Sequence, residues 1–165
     1  MKKEIPQIIV FVSLFVTIIS CAPSTYDDFA KKETQVMDYQ YNSNEIALIR
    51  LINQYRNSVN LTSLTIINHI SFKSQEHNNY MIQNQVVNHD YFQERSENII
   101  HVLGAVKVNE NVAYNFISPS GALHAWLNSP GHRANIEGDF SNFGISVSES
   151  LETRKKYYTA IFISK

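Results

Sequence analysis

The chain has 165 residues, a formal net charge of −1 and 44% hydrophobic residues. That ordinary globular balance excludes a disordered tail and a strongly basic nucleic-acid binder. Cysteine occurs once, at Cys21, so no internal disulfide can form.

Lys2 and Lys3 precede a mostly apolar run from Ile5 to Ile19. A membrane span needs about 20 apolar residues, so this shorter run reads as the core of an export signal. It ends Ile18-Ile19-Ser20-Cys21, which resembles the lipobox of bacterial lipoproteins, whose cysteine is lipidated and becomes the first mature residue. Lipid attachment gives the sole thiol a purpose; the alternative is an ordinary secretory signal with an incidental cysteine. One acyl chain holds a membrane weakly, and the resemblance implies a diacylglyceryl anchor. The expected division is therefore a signal over residues 1–20, lipidated Cys21 and a tether over 21–41, and a folded domain over 42–165. Export to a bacterial cell envelope follows, with the membrane as a partner through Cys21. Tyr26, Phe29, Tyr39 and Tyr41 make the tether stickier than a pure linker, so part of it is expected to pack on the domain.

A first helix is expected from Asn42 or Ser43. Asn42 followed three residues later by Glu45 resembles a capping box, and Ile46, Ile49 and Ile52 recur at helical spacing. Asn57 to Leu64 reads as a loop. A second helix is expected over about 66–85, with a thin apolar set (Ile67, Ile70, Met81, Ile82) and with His77 on the face of Ile70 and Ser74. A lone histidine there reads as a packed or surface residue. A turn-like segment from Val87 to Phe92 precedes a short helix over 93–102, which Gly104 ends. Val106 to Phe116 reads as a strand interrupted around Glu110. Ser118-Pro119 is a helix start, with serine as N-cap and proline at the first helical position, and Ser129-Pro130 repeats the signal. Phe143–Ser148 and Tyr157–Ile163 read as an antiparallel pair. Helices first and a hairpin last favour α+β over a parallel sheet.

The most informative stretch runs from Asn109 to Ile136. It holds Asn109-Glu110-Asn111-Val112-Ala113 and then Trp126-Leu127-Asn128-Ser129-Pro130-Gly131-His132-Arg133-Ala134-Asn135-Ile136. Together with Asn53-x-x-Arg56, His89 and Phe143-Gly144-Ile145, these residues resemble the CAP superfamily of cysteine-rich secretory and pathogenesis-related proteins, in particular its bacterial SCP-like extracellular branch. The resemblance covers about residues 45–164. It implies an α-β-α sandwich with a central mostly antiparallel sheet and a surface groove lined by histidines and acids. Carried over by position, the histidines are His89 and His132 and one glutamate is Glu110. A second glutamate of the family falls at about Ser129 and is absent, which weakens any mechanism needing two carboxylates.

Two imidazoles and a carboxylate suit a divalent metal, zinc first, with open positions for a ligand. The same groups can serve as acid and base without metal. A structural alternative stands beside both: Glu110 caps backbone donors or pairs with Arg95 or Arg133. Asn111, Ser129, Arg133 and Asn135 are expected to support the loops, Ser129 as a helix cap, and Trp126 is expected in the core. His69, His101 and His124 have no matching role. Two functions follow. One is a membrane-anchored binding module whose groove takes a lipid, sterol, peptide or wall fragment; the other is a hydrolase of peptide or wall substrates. No nucleophile accompanies the cluster, which favours binding.

Overall fold

A computed structural model describes residues 34–165. The expected export signal and the expected lipidation site at Cys21 lie outside the described residues. Nine elements follow one another: α1 (Ser43–Ser58), β1 (Thr65–Ile66), α2 (Asn68–Asn84), α3 (Phe92–Leu103), β2 (Lys107–Tyr114), α4 (Pro119–Asn128), α5 (Pro130–Glu137), β3 (Asn142–Glu149) and β4 (Lys156–Ser164). Among the described residues no helix is long and apolar enough to cross a membrane.

The strands form one sheet in the order β1-β3-β4-β2. β4 pairs antiparallel with β2 and with β3, and only the two-residue β1 runs parallel to its neighbour β3. This is the α+β, mostly antiparallel arrangement expected. Alternation along β4 assigns its residues to two faces. Tyr158, Ala160 and Phe162 pack with Leu48 and Ile52 of α1 and Leu123 and Trp126 of α4. Ile161 and Ile163 pack with Ile70 of α2 and Ile99 of α3. Helices therefore cover both faces, giving an α-β-α sandwich.

Local chemistry sets the element ends. Asn42 and Glu45 form the capping box reciprocally, the Glu45 amide donating to Asn42 Oδ1 and the Asn42 amide to Glu45 Oε2. Glu45 is also buried, and its Oε1 accepts from the Val147 amide and the Tyr39 hydroxyl. The residues before α1 thus pack on the domain: Tyr39 is buried, and Tyr41 Oη bonds Asn68. Ser118 caps α4 by accepting from the Gly121 amide, with Pro119 in the first turn. Gly104 ends α3 at φ +68°, the left-handed conformation that costs glycine nothing.

Two expectations need correction. β2 is continuous from Lys107 to Tyr114 and is not interrupted at Glu110. Strand alternation lets Glu110 point to the α2–α3 face without breaking the ladder. Thr65–Ile66, between the expected loop ending at Leu64 and the helix expected from about Ile66, is instead a strand paired with β3. Two residues are too short a run for periodicity to register.

α2 lies close against the sheet. A Cβ on Gly144 would stand 2.3 Å from the Ser71 amide nitrogen and 2.5 Å from the Ile70 carbonyl carbon. The buried stripe of α2 is largely polar: Ser71, Ser74, His77 and Asn78. Ser71, Ser74 and Asn78 bond to the sheet. Asn78 Nδ2 donates to the carbonyls of Ser146 and Tyr157, and Thr159 Oγ1 donates to Asn78 Oδ1.

Candidate functional site

β2 is an edge strand, and the site is built around it. Glu110 points to the α2–α3 face, where its carboxylate is held from several sides. Arg95, from α3, donates through Nε to Oε2 at 3.0 Å and through Nη2 to both oxygens at 2.9 Å. His89, on the loop between α2 and α3, lies with Nδ1 2.8 Å from Oε1. A carboxylate only accepts, so His89 donates from Nδ1. His77 of α2 places Nε2 3.8 Å from the same Oε1. The Glu110 side chain is 1% exposed and that of His89 is 50% exposed, so the acid is the floor and the imidazole the surface.

The next β2 residue serves the opposite face. Asn111 donates from Nδ2 to the His132 carbonyl at 2.9 Å. Asn135 donates to Asn111 Oδ1 at 2.7 Å and to the Glu110 carbonyl at 3.3 Å, and Asn109 donates to Asn135 Oδ1. Trp126 Nε1 donates to the Val112 carbonyl at 3.0 Å. Side chains of α4 and α5 thus occupy backbone acceptors of β2 and carry His132 beside the strand. Capping these carbonyls also protects part of an edge that could otherwise pair with another chain.

His132 is partly buried. Loss of solvent first, and the neighbouring His89 second, push its imidazole below the ordinary histidine range. His77, wholly enclosed, is pushed down mainly by burial, against the raising effect of Glu110. Both are neutral imidazoles at pH 7. His89 is near enough to both to disfavour their protonation.

The remaining expected residues are distributed as follows. Asn111 and Asn135 are the structural hydrogen-bonders anticipated. Arg133 does not reach Glu110; its Nε donates to the Leu127 carbonyl. Ser129 occupies the N-cap position of α5 by its backbone, but its side chain makes no capping bond, so the capping role expected of its hydroxyl is not fulfilled. His69 acquires a role that its position in the sequence did not suggest. It accepts the Val36 amide on Nδ1 and bonds Asn98 through Nε2, fastening the segment before α1.

Zinc held by His89, Glu110 and His132 does not fit this arrangement. Among the described residues no group of three or more His, Cys, Asp or Glu side chains could hold a metal ion. Arg95 supplies the physical reason. It engages both oxygens of Glu110 and brings a fixed positive charge to where a divalent cation would sit. A cleft of about 670 Å³ lined by Arg56, Thr62 and Asp139, and one of about 290 Å³ lined by Phe116, Glu149 and Lys156, include none of the three.

In the sequence Arg95 stands only as one alternative partner of Glu110, and His77 reads as a packed or surface residue. The signal for His77 was its place on the face of Ile70 and Ser74, all three of which are buried.

Fold and site together define an α-β-α sandwich of the CAP type. Residues 49–162 match the model of the cysteine-rich secretory protein family, and the chain belongs to that family. It is similar in structure to an outer surface protein of Borrelia burgdorferi, with a TM-score of 0.68 and 20% identity over 77% of this chain and 96% of that one. An extracellular protein containing an SCP domain from Bacillus anthracis gives a TM-score of 0.66 and 28% identity over 75% of this chain and 41% of that one. A membrane protein of Bacillus subtilis of uncharacterised function is 38% identical over 60 residues. That match spans 36% of this chain and only 16% of the relative's length.

Proposed function

We propose that this chain is an exported, lipid-anchored binding module whose recognition surface is the His89–His132 pair, built on a buried Glu110–Arg95 floor and working without metal. The observation that carries the reading is the engagement of Glu110. With Arg95 on both oxygens and His89 on one, the carboxylate is neither a free base nor an open metal ligand. What remains for a ligand is an imidazole face: half-exposed His89 and a neutral, partly buried His132. Such a face accepts hydrogen bonds from amide or hydroxyl donors, which suits peptide or wall-fragment ligands better than purely apolar ones.

Export is supported by the similar extracellular protein of Bacillus anthracis and outer surface protein of Borrelia burgdorferi, and by the lipobox-like end at Cys21. The hydrolase alternative is less favoured, because a general base must be free to take a proton. The test is a chemical-shift survey of the labelled protein in chelator. Muropeptides, a synthetic peptide library, and phospholipid and sterol vesicles are the probes. Shifts centred on His89 and His132 with a muropeptide or peptide are expected, with no cleavage of the probe. Probe turnover, or shifts confined to residues remote from β2, would overturn the reading.

A further inference from the structure

We infer that His77 is a positioning residue of this site: by donating from Nε2 to the Asn88 carbonyl, it holds the α2–α3 loop so that His89 meets Glu110. The inference rests on the reading of His89 as part of the recognition surface and adds a residue to it.

His77 Nε2 lies 2.9 Å from the Asn88 carbonyl oxygen. A carbonyl only accepts, so Nε2 carries the proton and Nδ1 is bare. That Nδ1 is the buried side-chain polar atom without a hydrogen-bond partner among the described residues. The His77 side chain is 0% exposed, so bulk solvent does not reach it. A phenylalanine or leucine would fill the same space without this cost. An unsatisfied buried atom in a folded protein calls for an explanation, and the Asn88 bond provides one.

The loop that His77 grips is strained. Tyr91 adopts φ +58°, a left-handed conformation unfavourable for a bulky side chain. Other groups restrain the loop at Asp90 and Tyr91. Arg95 Nη1 donates to the Asp90 carbonyl at 2.7 Å, and Tyr80 Oη donates to Asp90 Oδ2 at 2.7 Å. Tyr80 packs edge-on against Tyr91 and stacks on His77. Arg95 thus binds both Glu110 and the loop, while His77 fixes the carbonyl immediately before His89. Burial keeps His77 neutral, which preserves the bare Nδ1 and the donating Nε2.

The experiment is nitrogen NMR of the imidazoles in histidine-labelled protein at neutral pH, for the wild type, His77→Phe and His77→Gln. Phenylalanine keeps a ring against Tyr80 and loses the donor. Glutamine extends its amide nitrogen about as far as Nε2 and keeps it. The wild type is expected to show His77 protonated on Nε2 and His89 protonated on Nδ1. His77→Phe should move His89 to the mixed tautomers of a free imidazole, and His77→Gln should restore the Nδ1 form. A wild-type His77 protonated on Nδ1 overturns the inference without any variant, which covers the case of a Phe variant that fails to fold. So does a His89 tautomer that Phe leaves unchanged, or that Gln disturbs as much as Phe. These readouts need no ligand. Failure of every probe to bind with the tautomers as expected would count against the proposed function alone.

Discussion

Arg95 and Glu110 meet through three hydrogen bonds of 2.9–3.0 Å, with both residues buried. Glu110 sits on β2 and Arg95 on α3, so the pair also ties the helix to the edge of the sheet. A buried carboxylate is tolerated here because a guanidinium satisfies both of its oxygens. This commitment separates a metal-ligand reading of the histidine–acid cluster from a binding reading.

Zinc calorimetry separates the two readings experimentally. Zinc titrated into metal-free protein at neutral pH should give no saturable binding that depends jointly on His89, Glu110 and His132. Tight binding lost in each of His89→Ala, Glu110→Ala and His132→Ala, with circular dichroism unchanged, would restore the three-ligand site.

Trp126 is 1% exposed and its indole nitrogen satisfies the Val112 carbonyl. Trp126→Ala should cost about 3–5 kcal/mol in denaturant unfolding, as large aromatic truncations do. A cost under about 1 kcal/mol would show that α4 does not depend on this contact.

Gly144→Ala tests the closeness of α2 to the sheet. The new Cβ meets backbone atoms at 2.3 and 2.5 Å, which cannot rotate away. Overpacking of this kind costs about 1–3 kcal/mol and sometimes more. The expected value is at or above the top of that range, and a neutral substitution would mean that α2 shifts freely.

The two neutral histidines predict the direction of acid destabilisation. Folding holds His77 and His132 below their ordinary value, so the unfolded chain binds more protons between the lowered values and about pH 6.5. Their contribution is fully present above about pH 6.5 and is lost as pH falls through that window. Unfolding midpoints measured from pH 7.5 to 4.5 should therefore decline, and His132→Gln should flatten the decline. A variant that leaves the slope unchanged would show that His132 is solvated.

Much of the fold was legible in the sequence because short-range chemistry governs it. The Asn42–Glu45 box, the Ser118-Pro119 start, Gly104 and the β3–β4 hairpin each announce themselves within a few residues. α2 was harder to read. Its buried face carries Ser71, Ser74, His77 and Asn78, so hydrogen bonding to the sheet and, for His77, to the Asn88 carbonyl replaces the apolar stripe that periodicity detects. The site was half legible for a related reason. Glu110, His89 and His132 were identified by their match to a family pattern. The Arg95 partnership and the His77 grip on Asn88 depend on how α2, α3 and β2 converge, which no local spacing encodes.

The most direct test of the account is a double-mutant cycle on Arg95 and Glu110 by denaturant unfolding, with Arg95→Met, Glu110→Gln and the double variant. Removing one partner of a buried ion pair typically costs about 3–5 kcal/mol, because the other charge is stranded, whereas replacing both can cost far less. The account predicts two large single losses and a double variant well short of their sum. Single losses that add to within about 0.5 kcal/mol would contradict it, leaving Glu110 uncommitted to Arg95 and the metal-free floor of the site without support.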